Sequence, residues 1–297
     1  IEDVPPGMRL DTLRHGTVAA GEHRPIPADL GVVLEHFPQS AWRLADYEIF
    51  SWSRYPEILV MDTRSYAVQA RFFKRLAFFV EKRGFRGRLL SDDELSKLHG
   101  WNAHNYRAEG LAGFFNQARR DGFELNEEER SLRDMMLANG VLRREGDQLL
   151  PGRGGIISIS QESSALLRDL LLSHEAFHGV FYANAAFRAG VYETWEALSS
   201  REREYWRRML SYLTYDPEDR YLMINEFQAY VLQQAPSRVR GYLRGTLSRR
   251  FAAARGAGYV DSFLAAYPDT FARAGRLLNR LAWDTARLRG GAVYDLR

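Results

Sequence analysis

The sequence contains no cysteine among its 297 residues. Disulfide bridges, thiolate metal sites and a cysteine nucleophile are therefore excluded. Lysine is scarce as well, because it occurs only at Lys74, Lys82 and Lys97, and arginine supplies nearly all of the positive charge. The 41 basic and 38 acidic residues leave a net charge of +3. A net charge this small does not predict a nucleic-acid partner.

Long apolar runs are also missing. The longest apolar patches, such as residues 76–80, end at charged residues, far short of the ~20 apolar residues of a membrane helix. We therefore expect no transmembrane segment. The first residue is Ile1 rather than methionine. Together with the absence of cysteine, this favours a processed, periplasmic or secreted protein without fixing the compartment, and the oligomeric state stays open.

Apolar periodicity and turn residues predict an α+β fold with a small sheet in the first half and helices in the second. We expect an irregular N-terminal segment over residues 1–27, an α+β subdomain over 28–182 and a helical subdomain over 183–297. Strands are predicted at 46–52, 57–61 and 156–160, with a hairpin over 141–150. Helices are predicted at 28–36, 65–82, 92–98, 104–120, 126–138, 163–182, 192–213, 217–234, 239–255, 263–266 and 270–289.

A His-Glu-x-x-His motif, His174 to His178, lies inside the apolar helix predicted at 163–182. Residues four apart share one face of a helix, so both imidazoles can reach one zinc ion. Glu175 leaves the helix at the next position and can act as general base on a metal-bound water. Burying three polar side chains on an apolar helix would cost free energy unless they shared a ligand such as a metal ion. The motif therefore predicts a zinc site with Glu175 as the catalytic residue.

A catalytic zinc site needs a third protein ligand. Because cysteine is absent and no histidine follows His178, that ligand is an aspartate, a glutamate or an earlier histidine. The nearby candidates are Glu193, Glu196 and Glu226. Glu226 is favoured because it is the one carboxylate in the apolar stretch 221–230 of the helix predicted at 217–234, where burial would be costly without a cation. Glu196 is the alternative.

The motif and the distant glutamate resemble zincin metallopeptidases of the gluzincin group. The gap of 48 positions between His178 and Glu226 and the Glu-Phe-Gln-Ala-Tyr sequence at 226–230 resemble the lethal-factor-like branch more than thermolysin. A metzincin-type third histidine is absent, because Phe181 and Asn184 occupy the places of that extension. Thermolysin-like enzymes carry an acidic residue that orients a histidine ligand one turn after the glutamate ligand, where this chain has Tyr230.

The resemblance implies a zinc-dependent peptidase with one zinc per chain, held by His174, His178 and Glu226, that acts on a peptide or protein substrate. Glu175 would take a proton from the metal-bound water and pass it to the leaving amine. The resemblance also implies an oxyanion-stabilising tyrosine or histidine, for which Tyr215, Tyr221 and Tyr230 are candidates. The strand Ile156, Ile157, Ser158, Ile159 and Ser160 would be the sheet edge that pairs with the substrate.

Several alternatives remain at the level of the sequence. The protein could be a zincin-fold binding or regulatory module without turnover, although Glu175 argues against this, or a metal-dependent amidase acting on cell-wall peptide. His99 and His104 could line a cleft or bind a second metal, although a loop or capping role is expected. The arginine-rich helix at 239–255 could meet an anionic polymer or lipid. Residues 1–27 could cover the cleft, with His15 or Asp11 touching zinc.

Overall fold

The structure, a computed structural model, describes residues 24–35 and 37–294. The described residues form a five-stranded mixed sheet, in the order β1-β2-β3-β7-β4, and a separate hairpin of β5 and β6. The strands are β1 (Ile26–Ala28), β2 (Tyr47–Trp52), β3 (Tyr55–Thr63), β4 (His104–Arg107), β5 (Leu142–Glu145), β6 (Gln148–Pro151) and β7 (Gly155–Ser160).

Helices make up most of the chain after β7. They are α1 (Leu30–Glu35), α2 (Tyr66–Glu81), α3 (Asp92–Ser96), α4 (Ala108–Arg120), α5 (Glu127–Ala138), α6 (Ala165–Ala183), α7 (Ala185–Glu196), α8 (Ser200–Tyr212), α9 (Arg220–Leu232), α10 (Val239–Tyr242), α11 (Ser248–Arg255), α12 (Ala257–Ala266) and α13 (Thr270–Ala286). A π-helical turn, Leu243–Leu247, joins α10 to α11. The predicted α+β class is confirmed at this level.

The two faces of the sheet belong to two hydrophobic clusters. On β3, Leu59 and Met61 pack with α2, α4 and α5, whereas Ile58 and Val60 pack with α6 and the C-terminal helices. This separation follows from the period of two along a strand. The cluster around α6 includes residues on both sides of the predicted boundary at 182–183, such as Phe181 and Phe187. The division into subdomains stays a prediction.

The prediction that residues 156–160 form a sheet edge is wrong. Strand β7 lies inside the sheet, parallel to β3 on one side and antiparallel to β4 on the other. All six of its residues are buried, as expected for a strand covered on both faces. Two glycines let it enter there, because a Cβ at Gly154 would lie 1.9 Å from the Glu57 carbonyl oxygen and one at Gly155 2.4 Å from that of Tyr106.

The prediction of a helix over residues 104–120 is also wrong for its first turn. Residues His104–Arg107 form β4, the edge of the sheet beyond β7, and the helix begins only at Ala108. Buried and half-buried residues alternate along β4, as expected for a strand. With only four residues, this alternation is too short to be recognised in the sequence.

Other boundaries also differ from the prediction. Within the segment predicted to be irregular, Ile26–Ala28 pairs in parallel with β2, while residues 1–23 lie outside the described part of the chain, so His15 and Asp11 are not placed. The helix predicted at 192–213 is two helices, because Ser199 and Glu202 form a capping box that starts α8.

Candidate metal centre

Helix α6 carries both histidines of the motif on its buried side. Ser164 caps the helix by accepting a hydrogen bond from the backbone N–H of Leu167. The helix lies under β7 and β3, and it comes very close to the sheet at Gly179, where an added Cβ would be 3.0 Å from Ile58. His174 and His178 are 7% and 0% exposed, so their imidazoles face the protein interior rather than solvent.

Helix α9 packs across α6 and brings Glu226 to the two histidines. The amide of Gln228 helps to fix this packing, because its Nε2 donates to the carbonyl oxygen of Phe177, 3.2 Å away, in the middle of α6. Glu226 is 1% exposed. Two residues of the Glu-Phe-Gln-Ala-Tyr sequence therefore have separate roles, one as a candidate ligand and one as a tie between helices.

The three candidate ligands converge on one point. The Nε2 atoms of His174 and His178 are 3.1 Å apart, and each lies 3.5–3.6 Å from an oxygen of Glu226. One ligand atom from each residue can be chosen so that all three lie within 4.8 Å of one another. Two imidazole nitrogens and a carboxylate oxygen are a donor set that suits zinc.

Two neighbours set the orientation of His174, and one of them, Gln233, was not indicated by the sequence. Its Nδ1 lies 3.1 Å from Oε1 of Gln233, so a proton on Nδ1 would be donated to the amide and Nε2 would be left free for a metal. The ring of Tyr230 packs edge-on against His174 at 4.8 Å. Gln233 thus takes the orienting role at His174, and Tyr230 supports the ring by packing.

Glu175 is held by the edge strand. The Nδ2 of Asn105, on β4, donates to Oε2 of Glu175 at 2.8 Å, and the hydroxyl of Tyr182 donates to Oδ1 of Asn105. Tyr182 lies one turn after His178 on α6 and stacks on its ring. Burial raises the pKa of Glu175 to about 7. A carboxylate with this pKa is suited to accept and return a proton near neutral pH.

A buried lysine, held between Glu81 and two aromatic rings, interacts electrostatically with Glu226. Lys82 is 2% exposed, its Nζ lies 2.6 Å from Oε1 of Glu81, and it sits 3.8 Å from the ring centre of Trp101 and 4.4 Å from that of Tyr215. Backbone pairing of Lys82 with Tyr215 fixes the position of this lysine. Burial opposes the ionised form of Glu226, but His178, His174 and Lys82 outweigh it and hold its pKa below the usual range.

The buried charges favour a divalent cation at the convergence point. Glu81, Glu175 and Glu226 interact electrostatically. Lys82 is the buried cation that ion-pairs with Glu81. When all three carboxylates are ionised, the three negative charges and the one positive charge of Lys82 give a net charge of −2. Oε2 of Glu226 is buried and has no hydrogen-bond partner among the described residues. A buried carboxylate oxygen without a donor is costly, and a bound dication would satisfy it. The residues therefore fit a metal such as zinc.

The other predicted site residues lie elsewhere. Glu196 is half-exposed and pairs with Arg220 and Arg203, and Glu193 is exposed, so neither is near the histidines. His104 is buried, bonds to the Tyr106 hydroxyl at 2.9 Å and has its pKa lowered to about 3 by burial. His99 is exposed. Within residues 24–35 and 37–294, the cluster of His174, His178 and Glu226 is the one group of three or more such side chains that could hold a metal.

The three predicted tyrosines are not equivalent. The charge of Glu226 contributes to the raised pKa of both Tyr215 and Tyr230, which places these two beside the candidate ligands. Tyr221 instead packs against Phe181, and the guanidinium of Arg107 lies 3.8 Å from its ring centre. The sequence missed Tyr182, although its position one turn after His178 could have indicated it.

A groove runs along β4 and is lined by Asn105 and Tyr182, the two residues that hold Glu175. A cavity of about 420 Å³ is lined by Glu81, Asn105, Tyr182, Tyr221 and Asn225, among others. In the described residues, β4 pairs with β7 only, so its other edge is free on the side of this groove. Comparisons of the chain with known protein families, with characterised proteins and with solved structures found no match.

Proposed function

We propose that the protein is a zinc-dependent metallopeptidase with a zincin-like fold. The observation that carries the proposal is the buried cluster of His174, His178 and Glu226, with Glu175 held beside it by Asn105. A binding module would need the ligands, but it would not need a glutamate held beside them by a hydrogen bond from a neighbouring strand. The free edge of β4, rather than that of β7, is the strand to which an extended peptide could add.

His174, His178 and Glu226 would hold the metal, and a zinc ion bound there would supply Lewis acidity and lower the pKa of a water molecule. Glu175 takes the proton from the attacking water and returns it to the leaving amine. Asn105 keeps the carboxylate of Glu175 oriented for both transfers. Burial raises the pKa values of Tyr182, Tyr215 and Tyr230 well above 10, so their hydroxyls stay protonated and can donate to a developing oxyanion.

Metal content is the first test. We expect about one zinc per chain in elemental analysis of the purified protein, and cleavage within an unbiased peptide library. His174→Ala and His178→Ala should each lose the metal, because each removes one of three ligands. His99→Ala is the matched control, since His99 is exposed and should leave the metal content unchanged. Full occupancy in either site variant would refute the site, and zinc without cleavage would favour a binding module or another amide substrate.

Asn105→Ala should shift the pH dependence of cleavage while leaving the metal in place. The hydrogen bond from Asn105 stabilises the ionised form of Glu175 and so lowers its pKa. Without it the pKa rises further, and the acidic limb of kcat/KM should move about one pH unit higher, as expected for a hydrogen bond to a charged group. Asn102→Ala, in the exposed loop before β4, is the control. An unchanged acidic limb in Asn105→Ala would mean that Asn105 does not position the base.

A further inference from the structure

The C-terminal part of the chain carries a charge that the whole-chain value conceals. Residues 235–297 contain twelve arginines and four aspartates, with no lysine and no glutamate. This stretch therefore has a formal charge of +8, although the whole chain has only +3. Such asymmetry within a chain is typical of a surface that meets an anionic partner.

The arginines in this region also differ from the others in their pairing. At least thirteen of the 24 arginines in residues 24–234 form ion pairs with carboxylates. Of the ten arginines in residues 238–289 whose side chains the structure describes, only Arg273 forms an ion pair, with Glu202. All ten are exposed. An arginine-rich composition explains their number but not their lack of carboxylate partners.

The outer face of α13 combines these arginines with exposed apolar side chains. Arg276, Arg280 and Arg287 recur along this face, and Leu277 and Trp283 between them are 43% and 42% exposed. The ring of Trp283 lies within 5–6 Å of the guanidinium groups of Arg287 and Arg289. The opposite face of the helix, with Phe271 and Leu278, is buried in the core. Leu277 and Trp283 therefore lie outside the hydrophobic core that the helix helps to form.

The end of the helix carries an arginine in an unusual backbone conformation. Arg287 occupies the left-handed region, with φ of 55°, at a position where glycine is usual. The chain keeps a side chain there despite the backbone strain. That side chain lies over Trp283 on the outer face.

We propose that the outer face of α13 binds the surface of an anionic lipid bilayer. Arginines without carboxylate partners can pair with phosphate headgroups, while Trp283 and Leu277 enter the interfacial layer. An exposed leucine gains no favourable interaction from the phosphates of a nucleic acid, whereas burying it among acyl chains lowers the free energy. The contact would be peripheral, because no helix of the described residues is both long and apolar enough to cross a membrane. The proposal does not depend on the peptidase activity.

Sedimentation with vesicles tests this proposal. The full chain should bind vesicles of equimolar phosphatidylcholine and phosphatidylglycerol, but not vesicles of phosphatidylcholine alone. Arg276→Gln with Arg280→Gln should weaken binding by about 25-fold, from roughly fivefold per arginine. Leu277→Ser with Trp283→Ser should abolish the part of the binding that persists at high salt. All four residues are exposed, so circular dichroism should show an unchanged fold.

A control variant must show that vesicle binding depends on this face of α13 and not only on the net charge of the protein. Arg119→Gln with Arg144→Gln removes two exposed arginines that lack ion pairs among the described residues, outside α13, and should leave vesicle binding within about twofold. An equal loss in this control would overturn the proposal, as would equal binding to both vesicle types. Binding to a duplex oligonucleotide without binding to vesicles would also overturn it and would assign the face to nucleic acid.

Discussion

Glu175→Gln should lower peptide cleavage by about 10²–10⁴-fold, the range expected when a general base is lost. Glutamine has the same shape, and its amide oxygen can still accept the hydrogen bond from Asn105, so the local structure should persist. It cannot accept a proton from water. The metal content should not change, because Glu175 is not among the three residues that converge on the metal position.

The readout for Glu175→Gln is kcat/KM on a peptide that the wild-type protein cleaves, measured together with zinc content. Glu196→Gln is the matched control, since Glu196 is half-exposed and paired with surface arginines. Wild-type turnover in Glu175→Gln would remove this residue from the mechanism. Loss of zinc together with activity would instead show that the residue supports the site rather than the proton transfer.

Glu226→Ala should weaken zinc binding by more than the roughly 10–100-fold typical of losing a partner that only orients a ligand. Two imidazoles from one helix leave zinc short of protein ligands, and Glu226 is the carboxylate that α9 places beside them. Glu196→Ala should leave the affinity nearly unchanged, because that side chain ion-pairs at the surface.

Competition with a chromogenic chelator measures both affinities. Since alanine leaves a small void in a buried position, Glu226→Gln provides a second variant of the same volume, and it should also bind zinc weakly because its amide carries no charge. If Glu196→Ala lost zinc while Glu226→Ala kept it, the third ligand would be misassigned. The resemblance to the lethal-factor-like branch would then lose its main support.

Local signals in the sequence predicted much of the helical structure and the centre of the candidate site. The apolar periodicity predicted α2 and α5 close to their observed bounds, and the four-residue spacing placed His174 and His178 on one face. Glu226 could be singled out because a lone carboxylate in an apolar helix has few explanations other than a cation. The structure brings these three residues together.

The features that were missed depend on contacts between distant parts of the chain. Asn105 reaches Glu175 only because β4 pairs with β7, and no local pattern records that pairing. The position of β7 inside the sheet likewise depends on how Gly154 and Gly155 fit between two other strands. Gln233 lies at the end of α9, where polar residues are ordinary, and its role becomes visible only beside His174.

The division of the ligands between α6 and α9 also affects the order of events during synthesis. The ribosome completes both histidines 48 residues before it adds Glu226. Until then the surface of α6 that α9 covers in the folded protein has no partner, although its other side can already pack against β3 and β7. A nascent or truncated chain thus has two of the three ligands and an uncovered apolar surface. A metal bound as proposed would therefore find its full set of ligands only after α9 has been synthesised and has packed against α6.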